Sequence, residues 1–190
     1  MGTRIVKEVE LWTRARADDG RAFASLFDQH RDRVFRHCLR LTEDPHDAEE
    51  VTATSFLELW RRRASIILVN DSVLPWLLVT ANNVARNVSR GTRRYRALLD
   101  ALPRTTDALD RAQQAMADID DRDFESPLML ELKSIGEKDA ALIVLVSIEG
   151  YKITDAALLL GLSPGAARTR LHRSKNKLRE QFPQLVKELP

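Results

Sequence analysis

The chain has 190 residues, of which 44% are hydrophobic and 31% charged: enough for one domain or two small ones with a real core, and too apolar for a wholly disordered protein. Its formal net charge is only +2, which excludes a histone-like binder and moves the question to where the charges lie. Cys38 is the only cysteine, which excludes an intrachain disulfide. His30, His37, His46 and His172 lack ligand spacing, so neither a metal nor a cofactor is expected.

With 7 Gly, 7 Pro and 6% aromatics, the composition favours an all-α fold. The opening MGTRIVKEVELWTRARADDG has no apolar signal core, and the longest apolar run, Ala140 to Ser147, is far too short to span a bilayer. No membrane insertion is expected, and a reducing cytoplasmic setting is the default. Asp18-Asp19-Gly20 reads as a helix start, followed by Phe23, Leu26, Phe27, Val34, Phe35, Cys38, Leu39 and Leu41 at helical spacing. Thr42 to Pro45 interrupts the pattern. His46 to Trp60 predicts a second helix, with Ala48, Val51, Ser55, Phe56, Leu59 and Trp60 inward and Asp47, Glu49 and Glu50 near the positive end of its dipole. Residues 64–73, ASIILVNDSV, lack helical periodicity and read as a loop with buried apolar side chains. A third helix starts near Pro75 and ends in a basic stretch holding Arg86, Arg90, Arg93, Arg94 and Arg96.

Residues 100–126 hold eight Asp or Glu against three Arg, between Pro103 and Pro127, and read as an acidic linker with a short helix near 109–116. Four more helices are predicted over 128–135, 137–149, 154–160 and 164–182. The layout is thus two small helical domains: three helices in residues 1–99, a flexible acidic linker in 100–126, and four helices in 127–190.

The turn at Gly161 is the most informative local signal. Ala156 and Ala157 allow a close helix approach, Gly161 suits the positive φ of a helix C-cap, Ser163 suits an N-cap, and Pro164 the first helical position. A short helix, a tight turn and a longer basic helix predict a helix-turn-helix. On the last helix Ala167, Leu171, Ser174 and Leu178 form an inward stripe. Arg168, Thr169, His172, Arg173 and Asn176 fall on another face, where they can donate to phosphates and base edges.

DPHDAEEVTATSFLELWRR and PWLLVTANNVARNVSR, in that order before a helix-turn-helix, resemble the bacterial RNA polymerase sigma factors of the small extracytoplasmic-function (ECF) group. The resemblance runs from about Phe23 to Phe182. It implies a region 2-like domain that docks on core RNA polymerase and a region 4-like domain that reads the promoter −35 element. Docking would fall to Asp47, Glu49, Glu50, Thr52, Ala53 and Leu57. The family usually carries Gln-Glu-Thr-Phe where this chain has Ala53-Thr54-Ser55-Phe56. The family's next segment melts the −10 element and captures a flipped base; here the resemblance points to loop 64–73, Asn83 and Asn87, with Arg86, Arg90, Arg93 and Arg94 along the duplex. The loop, with Ile66-Ile67-Leu68-Val69, is more apolar than the family's usual one. The −35 element would be read by Arg168, Thr169, His172 and Arg173. Lys152 stands where a small capping residue is usual, and Thr154 is expected to cap that helix instead.

The implied partners are core RNA polymerase, promoter DNA and an anti-sigma factor. No catalytic residue is expected, since phosphodiester chemistry belongs to the polymerase. Other readings stay open at this level: a stand-alone helix-turn-helix repressor or activator, a sigma-like protein that binds polymerase without melting DNA, and an enzyme using His46 with Asp47, Glu49 and Glu50. Carboxylates in a first helical turn, however, are more often dipole partners.

Overall fold

The computed structural model describes the backbone of residues 2–42, 44–100 and 135–181, and the side chains of 8–42, 44–87 and 135–180. Every regular element described is helical. The chain runs through α1 (Gly2–Arg16), α2 (Gly20–Thr42), α3 (Pro45–Arg62) and α4 (Leu74–Asp100). It continues through α5 (Glu137–Leu142), a π-helical segment (Ile143–Ile148), α6 (Ile153–Leu159) and α7 (Pro164–Gln181). The acidic linker after Asp100, its short helix and the helix over 128–135 lie outside the described residues.

α1 is a helix that the periodicity of the opening stretch did not predict. It packs on α2 through Leu11, Trp12 and Ala15, all buried. Asp19 begins α2, its carboxylate accepting from the backbone N–H of Arg21 (2.9 Å) and Ala22 (3.1 Å). α3 starts one residue earlier than expected: Asp44 caps it, accepting from the Asp47 N–H at 2.8 Å, and Pro45 occupies the first turn. α2, α3 and α4 pack on one another around Leu26, Val34, Leu41, Val51, Leu59, Leu77 and Leu78. Edge-to-face aromatic pairs, Phe27–Phe56 at 4.7 Å and Phe23–Trp60 at 5.0 Å between centroids, close the α2–α3 seam.

The helix predicted over 137–149 is two elements. A single α-helical stretch widens into a π-helix at Ile143, whose end is marked by the Glu149 N–H donating to the Val144 carbonyl at 2.9 Å. Gly150, at φ +72, then turns the chain. The wider helix leaves Ile143, Val144, Leu145 and Ser147 all buried. α6 begins at Ile153, with Lys152 as its uncapped N-terminal residue. This corrects the expected cap: the Thr154 hydroxyl lies inside the helix and bonds Asp155 at 3.3 Å. α5 and the π segment pack against α4, and Arg33 of α2 pairs with the carboxylate of Glu149.

Candidate nucleic-acid interface

The helix-turn-helix is built as its residue types require. Gly161 takes φ +61 between α6 and α7. The Ser163 hydroxyl accepts from the Ala166 N–H at 3.2 Å, and Pro164 opens α7. Ala156 and Ala157 of α6 and Ala167 of α7 are buried, so the two helix backbones approach closely. Ala167, Leu171, Ser174 and Leu178 all face inward, as their spacing predicts. Arg168, Thr169, His172 and Arg173 are all exposed on the opposite face. Thr169 donates its hydroxyl to the Gly165 carbonyl at 3.1 Å, leaving its oxygen as an acceptor. Arg170 is drawn away from this face by Asp139 of α5, at 2.8 Å.

α3 divides two grooves. Between α2 and α3 lies a cavity of about 380 Å³, lined by Phe27, Arg31, Phe35, Glu49, Thr52 and Ala53 among others. Glu49, Glu50, Ala53 and Leu57 are exposed, with Leu57 55% accessible for so large an apolar side chain. Asp47, at the first turn, is half-buried. Thr52 departs from expectation: it is buried, and its hydroxyl donates to the Ala48 carbonyl at 2.7 Å. Its one hydroxyl proton is used inside its own helix, so at the floor of the α2–α3 groove it offers only an acceptor oxygen.

On the other side of α3, a cavity of about 480 Å³ is lined by Glu50, Thr54, Glu58 and Arg62 from α3, and by Trp76, Thr80, Asn83, Val84 and Asn87 from α4. Glu137 of α5 completes its wall. Asn83 is half-buried, and its Oδ1 is shielded from solvent without a hydrogen-bond partner. Such an orphan acceptor costs about 1–3 kcal/mol and is an unusual feature to keep in a stable fold. Asn87 is exposed, and Arg86 is half-buried. Arg90, Arg93 and Arg94 lie on the α4 backbone, but their side chains are outside the described residues.

The adjacent Asn82 does a different job. It is buried, its amide donating to the Leu78 carbonyl at 3.0 Å and to His37 Nε2 at 3.2 Å. Burial, aided by the charges of Arg40 and Arg33, pushes the His37 imidazole down to about 3. The expected loop over 64–73 is present, but only in part apolar inside: Ile66, Val69 and Val73 are buried, whereas Ile67 is 63% exposed. Its tip is a two-residue turn. Asn70 (φ 51) and Asp71 (φ 59) both adopt the left-handed region, and Val69 and Ser72 exchange backbone hydrogen bonds of 3.2 and 3.1 Å. The Asn-Asp pair is a signal for that turn that periodicity alone does not use.

Comparison with known proteins agrees with this geometry. Residues 26–95 match the Sigma-70 region 2 family and residues 128–178 the Sigma-70, region 4 family. The chain is 32% identical over 168 residues to the RNA polymerase sigma factor CarQ of Myxococcus xanthus, a match covering 88% of this chain and 93% of that one. It is 31% identical over 157 residues to the ECF RNA polymerase sigma factor SigE of Mycolicibacterium smegmatis, covering 82% of this chain and 59% of that one. Its fold is similar to that in the structure of CnrH in complex with the cytosolic domain of CnrY, with a TM-score of 0.56 at 20% identity, covering 93% of this chain and 97% of that chain. With both regions in the expected order and a relative matched over nearly its whole length, the chain belongs to the extracytoplasmic-function group of RNA polymerase sigma factors.

Proposed function

We propose that this chain directs core RNA polymerase to its promoters through three surfaces. The first is the exposed ridge of α3. Glu49 and Glu50 offer negative charge near the helix start, and Ala53 and Leu57 offer apolar area further along. That combination suits a basic partner helix with an apolar seam, the chemistry of core-polymerase docking. The second surface is the α3–α4 groove with loop 64–73, assigned to the −10 element. The third is the outer face of α7, assigned to the −35 element. The corresponding units are residues 1–99 and 127–190, with 100–126 as the tether between them. The chain acts in the cytoplasm, where its polymerase is, and brings no catalytic group of its own.

The observation that carries the −10 assignment is the unpartnered Oδ1 of Asn83 in the groove. An extruded base with an exocyclic amine supplies the missing donor, and Trp76 lines the same groove as an aromatic neighbour. Base extraction costs a few kcal/mol, and relief of an orphan acceptor offsets part of that cost. Glu137 of α5 shares the groove and sets a carboxylate on the wall that an incoming phosphate chain would pass. An anti-sigma factor fits the same scheme as a protein that covers these surfaces, as a CnrY domain accompanies CnrH.

Run-off transcription with core polymerase and the promoter upstream of the chain's own gene tests the proposal. A specific start site supports it; no specific transcript across a genomic library defeats it. Pull-down with core polymerase separates it from a stand-alone helix-turn-helix regulator, which would bind promoter DNA without retaining polymerase.

A further inference from the structure

α1 lies outside the stretch matched by the region 2 family, and it carries a buried carboxylate with an unusual set of partners. Glu8 Oε1 accepts from His30 Nε2 at 2.9 Å, from the Ser72 hydroxyl at 2.9 Å and from the Val73 backbone N–H at 2.9 Å. Its Oε2 accepts from the Gln29 amide at 2.9 Å. Four donors from two separate segments therefore converge on one buried side chain. His30 and Gln29 belong to α2. Ser72 and Val73 are the last two residues of the 64–73 loop, directly behind its Asn70-Asp71 turn and directly ahead of α4.

The entry to the same loop is also tied back to this region. Arg16 donates to the Ala64 carbonyl at 3.0 Å, and Arg63 pairs with Asp18. α1 and the turn after it thus act as a splint behind the loop, holding it at both ends. Glu8 is the buried end of that splint, and Arg16 is the exposed one. The Ser72 hydroxyl, while donating to Glu8, accepts from the Leu74 N–H at 3.1 Å and so begins α4. Three residues into α4, Trp76 lines the groove that holds Asn83. A shift of the Ser72–Val73 stem therefore moves both the loop tip and the first groove-lining residue of α4.

We propose that Glu8 is a positioning residue for promoter opening: its carboxylate clamps the stem of the 64–73 loop to α2, and so holds the loop and the start of α4 in the pose that captures the −10 strand. The inference rests on the −10 assignment of that loop and groove. Burial works against the charged carboxyl, but the hydrogen bond and charge of His30, with the bonds from Val73 and Ser72, outweigh it and keep Glu8 below its ordinary range. The clamp is therefore an ionised acceptor at neutral pH, able to hold all four donors at once.

The test uses the full chain with core polymerase and a duplex promoter mapped by run-off transcription. Opening is followed by 2-aminopurine fluorescence in the −10 element, on the native promoter and on one substituted at −10. Glu8→Ala is expected to slow opening of the native promoter about tenfold, the size of effect that losing a hydrogen bond to a charged group gives. The ratio between native and substituted promoters should shrink, while affinity for core polymerase stays unchanged. Glu8→Gln keeps an acceptor for Ser72 and Val73 and should restore most of the ratio. Ser72→Ala should act in the same direction, and the double variant should be no worse than Glu8→Ala. If Glu8→Ala fails to fold, Ser72→Ala and Arg16→Ala carry the test alone. Equal slowing on both promoters, or discrimination unchanged in Ser72→Ala, overturns the proposal by reducing Glu8 to a packing role. Asn83→Ala reports on the underlying assignment separately. If it leaves −10 discrimination intact, the −10 reading of the groove itself is wrong, and the clamp falls with it.

Discussion

Acid should loosen the N-terminal domain through one imidazole. His37 is fully buried between α2 and α4, with the Asn82 amide donating to its Nε2. Burial first, then the charges of Arg40 and Arg33, push it from an ordinary 6.5 down to about 3. The folded chain therefore keeps the ring neutral where the unfolded chain would take up a proton. Stability is full above about pH 6.5 and is lost progressively as pH falls from there towards 3. At pH 5 the unfolded ring is almost wholly protonated and the folded one hardly at all, which costs about 2 kcal/mol relative to neutral pH. Glu8, held below its ordinary 4.5, favours the folded chain above that value and withdraws its support only at lower pH. Urea melts at pH 7.5, 6 and 5 measure the loss, and His37→Gln, which still offers Asn82 an acceptor but does not titrate, should flatten it. Equal losses in wild type and variant between pH 7 and 5 would refute the role given to His37.

Three further outcomes follow from the same structure. Arg173→Ala removes one exposed donor from α7 and should weaken initiation from a −35-dependent promoter about tenfold, the lower part of the range for a base contact. Core binding should not change; its loss would mean that α7 serves a different surface. Leu57→Asp, at a side chain 55% exposed, should lower affinity for core polymerase about tenfold or more while leaving the thermal midpoint in place, read by fluorescence titration beside a melt. Cys38 is buried and its thiol is pushed up to about 11 by burial, so a disulfide reagent should label it only as the chain unfolds. Rapid stoichiometric labelling in native buffer would show that α2 and α3 are packed otherwise.

The helix-turn-helix is almost wholly legible in the amino-acid sequence, because each of its features is local. Gly161, Ser163 and Pro164 specify a turn and a cap within four residues, and the α7 stripe follows from spacing alone. The α3 faces are legible to the same depth, apart from Thr52, whose burial depends on what α2 places beside it. The Glu8 hub is not legible. Its partners lie about 21 to 65 residues away in sequence, and no local pattern marks a glutamate that will be buried by a helix, a second helix and a turn at once. The π-helix escapes for a related reason: LIVLV is apolar on every side, so it carries no period from which a widened turn could be read.

The separation of faces on α7 has an evolutionary reading. The four side chains assigned to promoter reading are exposed, and the four that hold the helix in place are buried. Changes to the first set leave the second untouched, so most of them should cost little stability. A lineage can therefore revise which promoters it answers to by single substitutions, without crossing a poorly folded ancestor. Duplicated copies of such a gene can part company in target while sharing one scaffold.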